Sequence, residues 1–350
     1  MSGCFGPAPR AALGAAVATT ETFTASDGST LFVRHWEPSS GAPKAILHIH
    51  HGQSSHSLRF AAFAEKAVAK GYAVVAHDAR GHGYTATLPG NPGLGIMVSG
   101  PDGVVPRMGQ DYVELLAASH AKRPSLPIVL LGHSMGTIIT RLVLTGYKVD
   151  VTHRPPISGV VLTGIPSSVD YASAGIFIGL VSALECAMGP TAISTIPQSL
   201  AFTSFQTRVI KMTCKPYPLS GWQWLNTIDS EVQKYIDDPL CGEHLMLGYW
   251  SSVLPITQLM GKSTIYGDLP ENLPMAFFQG GDDGAATNDC GVHSADAVKD
   301  CVVDAGKMTP YTKIYPKCRH EILLEFNSEQ VIQDVLNFLD GCCTAPVPPA

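Results

Sequence analysis

Charge is scarce in this sequence. Charged residues make up 15% of its 350 positions, and its 23 lysines and arginines never gather into a run. A nucleic-acid partner is excluded on that ground, because phosphate binding needs clustered cations and the net charge is -6. Long apolar runs are missing too: no stretch reaches the ~20 uninterrupted residues that span a bilayer. The opening segment MSGCFGPAPRAALGAAVATTE has no basic region ahead of an apolar core, so a secretory signal is not expected and cytoplasmic residence is favoured. The nine cysteines show no CxxC spacing, which reads as free thiols in a reducing compartment rather than a disulfide framework or a zinc site. Cys4 and the adjacent pair Cys342 and Cys343 are the thiols that acylation could reach, and the pair is read here as inert.

What is present is a rhythm. TFTAS and TLFVRHW flank Asp27-Gly28, a turn signal, so a sheet opens with an antiparallel hairpin. Then come short apolar runs at 44–50, 73–79, 127–132 and 159–165, the pattern of strands buried on both faces. Between them RFAAFAEKAVAKG and GQDYVELLAASHAK carry apolar residues at helical spacing. Alternating strands and helices imply a largely parallel sheet with crossover helices. The alternation stops at about 166 and resumes with the strand-like runs 275–281 and 311–316, so the intervening segment reads as a helical insertion. Its first part, Pro166 to Thr207, holds Asp170 and Glu185 as its only charges and contains AGIFIGLVSALECAMG. Two readings stand for that segment: a helix buried within the insertion, or an apolar lid over a pocket that touches membrane.

The run LLGHSMGT (130–137) has Gly132-x-Ser134-x-Gly136, the spacing of a turn that leaves a serine exposed between a strand and a helix. The context fits, since PIVLLG precedes Ser134 and MGTIITRLVLTG follows it. A serine hydroxyl is a weak nucleophile, so it needs a histidine to take its proton and a carboxylate to hold that histidine. In the chain order Ser, acid, His, the acid leaves a late strand, where FFQGGDD offers Asp282 and Asp283. The histidine follows the last strand, where YPKCRHE offers His320. His293 is the other histidine beyond Asp283, and it is expected within the helix between those strands.

Several motifs then match one family in order. HHGQSSHSLRF resembles an HGxxEHSxRY segment, HDARGHGYTA a DHRGHGxT segment, LLGHSMG the elbow, and YPKCRHEILLE a YxGxRHExLxE segment. WLNTIDSEVQKYIDDPLCG is similar to a stretch in bacterial members. Over nearly its whole length the chain resembles the monoglyceride lipase and lysophospholipase-like branch of the α/β-hydrolase superfamily. The resemblance implies an α/β fold with a mostly parallel sheet, helices on both faces and an inserted helical cap. It divides the chain into core 1–165, cap 166–270, core 271–342 and a flexible tail 343–350.

The resemblance also chooses Asp283 over Asp282 as the acid, and implies that the backbone N-H groups of Gln53 and Met135 form the oxyanion hole. The chain departs from the family at Ser54-Ser55, which stand for Gly or Ala and Glu, and at Gly284-Ala285, which stand for Pro-Val. A looser acid loop is expected from the second change. The histidines of HIHHGQSSH are not read as a metal site, because strand geometry sends His50 and His51 to opposite faces. Asp78 and His82 are read as ordering the loop after their strand. The activity implied is hydrolysis of a single-chain lipid ester, most simply a monoacylglycerol, through an acyl-enzyme on Ser134 and without cofactor or metal. Lysophospholipase, proline-type aminopeptidase and non-catalytic binding module are the alternatives. Ile176 and Ile178 are expected to line the acyl channel, and the apolar cap to touch a membrane surface.

Overall fold

The computed structural model describes residues 18–167, 171–214 and 220–343. Its strands are β1 (Ala18–Thr24), β2 (Thr30–Trp36), β3 (Ala45–His50), β4 (Tyr72–His77), β5 (Ile128–His133), β6 (Ile157–Thr163), β7 (Met275–Gly280) and β8 (Tyr311–Tyr315). They form one sheet in the order β1-β2-β4-β3-β5-β6-β7-β8. β2 runs antiparallel to β1 and β4, and the remaining neighbours are parallel. The hairpin turns through Gly28, whose φ of 85° suits a residue without a Cβ.

The helices are α1 (Ala61–Ala69), α2 (Gly83–Thr87), α3 (Val104–Lys122), α4 (Met135–Thr145), α5 (Tyr171–Met188), α6 (Thr195–Thr213), α7 (Asp229–Asp237), α8 (Leu247–Leu259), α9 (Ser294–Asp304) and α10 (Ser328–Cys343). Alternation along the strands splits the core in two. Ile46, Leu130 and Phe277 face α3, α4 and α9, while their neighbours Leu47, Leu131 and Phe278 face α1 and α10. Both faces are covered, which is why these strands read as continuous apolar runs.

α5 to α8 lie between β6 and β7. Tyr249, Trp250 and Val253 of α8 join the same apolar cluster as the sheet, so this insertion is seated on the core. α5 is not a helix buried within the insertion: Val181 is buried, but Ile176 is 77% exposed and Met188 is also exposed. Among the described residues no helix is long and apolar enough to cross a membrane.

The end of the chain differs from the expectation of a tail starting at 343, because α10 continues through Cys343. Cys342 is buried against Gly159, where a Cβ would fall 2.4 Å from its sulfur, so acylation there would require unpacking the helix. Cys343 is half-buried beside Tyr72. Residues 1–17, Cys4 among them, and residues 344–350 lie outside the described residues.

Candidate active site

Ser134 is the whole joint between β5 and α4. Its φ of 53° and ψ of -118° lie where a residue with a side chain is strained, and the fold holds it there by leaving no alternative path. A Cβ on Gly132 would sit 2.6 Å from the Gly136 carbonyl, and one on Gly136 would sit 2.2 Å from the His50 carbonyl. The two glycines of the motif are therefore what lets α4 start immediately against β3. The Ser134 N-H donates to the Thr163 carbonyl at 3.0 Å, tying the turn to β6.

Asp283 follows β7 and is fully buried. Its Oδ1 accepts from the Ala285 and Ala286 N-H groups at 2.9 and 3.1 Å, and its two oxygens lie 3.0 and 2.9 Å from His320 Nδ1. That contact puts the His320 proton on Nδ1 and leaves Nε2 as the acceptor. Nε2 is buried and has no hydrogen-bond partner among the described residues, so the proton-transfer contact with Ser134 is not made in this conformation. The ring is fixed by Trp224 and His133, at centroid distances of 5.0 and 4.8 Å. Beneath it Gly164, at φ 58°, leaves space that a Cβ would close to 2.9 Å from His320 Cε1. Asp282 makes its backbone contact with Cys318 and stands away from His320. His293 sits at the N-cap of α9 rather than within the helix, bonded to Gln279 and Thr287.

The acid loop packs tightly against the cap: a Cβ on Gly284 would fall 2.1 Å from the Phe205 carbonyl of α6. Gly284→Ala is accordingly expected to push α6 away and lower the melting temperature by several degrees, the equivalent of about 1–3 kcal/mol of overpacking. A melting curve equal to wild type would show that the loop yields instead.

Gln53 and Met135 both line the cavity beside Ser134. The loop carrying Gln53 is held from the cap: Tyr249 Oη donates to Gln53 Oε1 at 3.0 Å, and the Ser54 carbonyl accepts from Tyr235 Oη at 2.7 Å and from Gly242 N at 2.9 Å. Ser54 adopts φ 52°, a conformation that the family's glycine reaches without strain, and its hydroxyl donates to the Glu243 carbonyl at 2.8 Å. The Glu243 carboxyl is buried, which pushes its pKa up to about 8, and it lies 3.7 Å from His82 Nε2. Asp78 accepts from the Ser57 and Tyr84 N-H groups, each at 2.7 Å, and His51 Nε2 accepts from Ala79 N at 2.9 Å. Asp78 and His51 thus order the loops around the site. Among the described residues, the grouping with metal-ligand chemistry is His56, Asp238 and Cys241, with donor atoms within 4.8 Å of one another. There the His56 Nε2–Asp238 contact of 2.9 Å is satisfied without an ion.

Above Ser134 lies a cavity of about 500 Å³. Its end at the elbow is formed by Gln53, Ser134, Met135 and His320, and its walls by Ile176, Phe177, Leu180, Phe202, Phe205 and Trp250. Ile176 lines it and Ile178 does not. Two positions apart on a helix point about 200° from each other, so the cavity face of α5 continues to Leu180 instead. Trp224, Gly164, Tyr235 and Tyr249 received no role from sequence. Their parts depend on cap segments folding back over the strand ends, and local pattern carries no signal of that.

The family model described as serine aminopeptidase, S33 matches residues 41–327. The chain belongs to that family. Human monoglyceride lipase is 35% identical over 117 residues, covering 33% of this chain and 35% of the relative. Mouse monoglyceride lipase is 36% identical over 118 residues, covering 34% and 35%. The match thus spans about a third of the length of these curated relatives. Among solved structures, a thermostable carboxyl esterase from Bacillus coagulans aligns with a TM-score of 0.78 at 22% identity, covering 93% of this chain and 99% of that one. A soluble variant of monoglyceride lipase from Saccharomyces cerevisiae aligns with a TM-score of 0.68 at 18% identity, covering 93% and 96%. These likenesses show the α/β-hydrolase fold, which is the fold expected from the strand rhythm and the motifs.

Proposed function

We propose that this S33-family chain is a serine carboxylester hydrolase acting on lipids with one acyl chain, monoacylglycerols first. The observation that carries the reading is the apolar cavity that ends on Ser134 and His320. Its volume is that of a small-molecule site, and its walls suit an alkyl chain better than a polar polymer. Ser134 Oγ attacks the ester carbonyl while His320 Nε2 takes its proton, and Asp283 holds the imidazolium that forms. The N-H groups of Gln53 and Met135 bind the oxyanion, the latter at the N-terminus of α4, where the helix dipole favours negative charge. His320 returns the proton to the departing glycerol oxygen. Water, deprotonated by the same histidine, then cleaves the acyl-enzyme.

An aminopeptidase needs an acidic group for the substrate's ammonium. The carboxylates on the cavity wall are Asp289 and Glu321, and each is engaged by an arginine: Arg208 at 3.0 Å and Arg59 at 2.6 Å. That pairing favours the ester reading. Exposed Ile176, Met188, Ile196 and Leu200 on α5 and α6 support docking of the cap on a lipid surface. The test is hydrolysis of a matched panel of monoacylglycerols, lysophospholipids, short esters and aminoacyl amides, with fluorophosphonate labelling of wild type and Ser134→Ala. Preference for an amide would overturn the proposal, and so would labelling that survives the substitution.

The two isoleucines of α5 provide a sharper test. Ile176→Asp places charge in the alkyl path and is expected to raise KM for long-chain monoacylglycerols by about 10-fold while sparing short esters, because each buried methylene contributes up to ~0.8 kcal/mol. Ile178→Asp is expected to leave the long-to-short ratio of kcat/KM unchanged. Equal ratios for both variants would remove α5 from the acyl path.

A further inference from the structure

Arg141 lies two turns along α4 from Ser134, and it is only 1% exposed. Nε donates to the Thr137 carbonyl at 3.0 Å, one terminal nitrogen to Tyr266 Oη at 3.1 Å, and the other to Thr137 Oγ1 at 3.4 Å. All three acceptors are neutral. Burial holds the Tyr266 phenol above its ordinary range, and the Cys301 thiol nearby is raised by burial as well. The acidic residues closest in sequence to that thiol, Asp300 and Asp304, are exposed on α9, and the partners of Arg141 are Thr137 and Tyr266. A buried guanidinium ordinarily has a carboxylate, because desolvating an uncompensated charge is costly. Here the described residues supply none, and three of the five N-H donors are used.

Beside the guanidinium is a cavity of about 90 Å³ that Arg141 lines together with Ser167, Asn288 and Ser294. The Ser294 hydroxyl is buried and has no hydrogen-bond partner among the described residues. A positive group with no counter-charge among the described residues and an unused hydroxyl therefore border the same small space, which is roomy enough for a few water-sized bodies. We infer that this cavity is a binding site for one small monoanion, a halide or a carboxylate no larger than acetate, held by the Arg141 guanidinium and the Ser294 hydroxyl. Pro166, Ser167 and Thr257 line both this space and the large cavity, so the bound anion braces the elbow helix against the wall of the acyl site. The inference does not depend on which reaction Ser134 performs.

The test uses the full chain dialysed into gluconate, an anion too large to enter, and titrated with sodium chloride or sodium acetate at constant ionic strength. Wild type is expected to show a Tm that rises with the logarithm of chloride or acetate concentration once the dissociation constant is passed, by about 3–5 °C over the titration. Arg141→Met keeps the length of the side chain and removes the charge. It is expected to lose the anion response and to melt in gluconate at or above the wild-type temperature. Ser294→Ala keeps the charge, and is expected to shift the onset of the chloride response to about 10-fold higher concentration with the slope against log concentration unchanged. Equal wild-type melting in all three salts would overturn the site, as would an unchanged onset concentration in Ser294→Ala. Should Arg141→Met fail to fold, equilibrium dialysis with radioactive chloride decides: one ion per wild-type chain supports the site, and none overturns it.

Discussion

Ser134→Ala, His320→Ala and Asp283→Asn are each expected to lower ester hydrolysis by about 10³-fold or more, because such a triad works as a unit. The contacts give each substitution its own reason. Removing the Ser134 hydroxyl removes the acyl acceptor. Removing His320 leaves no base, since the neighbouring His133 is engaged with Thr163 Oγ1 at 2.9 Å and burial pushes its pKa well below the ordinary range. Asp283→Asn can present its N-H to His320 Nδ1, which turns the imidazole to the wrong tautomer while the side chain still fills its site. Asp282→Asn is the control, because its neighbour alone reaches the histidine. The measurement is kcat/KM on one ester with all four purified variants. Wild-type turnover in Ser134→Ala would sink the mechanism, and equal losses at 282 and 283 would mean that the acid loop rearranges on binding substrate.

Stability is expected to collapse as the pH falls below about 6. His48, His50, His51, His77, His82 and His133 are all fully buried, and burial lowers each of their pKa values: His48 to about 3, His50 and His82 to about 4, and the other three well below 6.5. The sign follows from linkage. Above pH 6.5 these groups are neutral in both states and contribute nothing; as the pH falls toward 4 the unfolded chain takes up protons that the folded chain refuses. Each group then tilts the balance toward unfolding by up to about 1.4 kcal/mol per pH unit. Glu243 works in the opposite sense. With its folded pKa raised to about 8, it stabilises the fold fully below about 4.5 and loses that contribution as the pH rises, one acid against six imidazoles. A domain with a net stability of about 5–15 kcal/mol should therefore unfold between pH 6 and 4.5, ahead of ordinary carboxylate titration. Urea midpoints measured from pH 7.5 to 4.5 check this, and a flat profile across that range would show that the histidines find partners on protonation.

The sequence made the strand ends and the elbow readable, because both obey local rules. Strands buried on two faces must be apolar throughout, and a serine at positive φ needs glycines two positions away on either side, as the Gly132 and Gly136 contacts show. The cap was the opposite case. The apolar run of α5 fits a buried helix and a lid equally well, and its composition does not say which face meets solvent. Ile178 was misread for the same reason: a run apolar on all sides carries no phase.

By itself, then, the sequence determined the sheet and the elbow at Ser134, which rest on the geometry of neighbouring residues, and the order serine, aspartate, histidine along the chain. Tertiary structure decided the contact of Asp283 with His320, how Ser54 is held at positive φ by Tyr235 and Gly242, what packs against Gly284, and that Arg141 is buried with no carboxylate partner among the described residues. Each of these depends on residues at least 37 positions apart, or on a side chain's burial, being brought together by packing, and sequence spacing does not encode that distance.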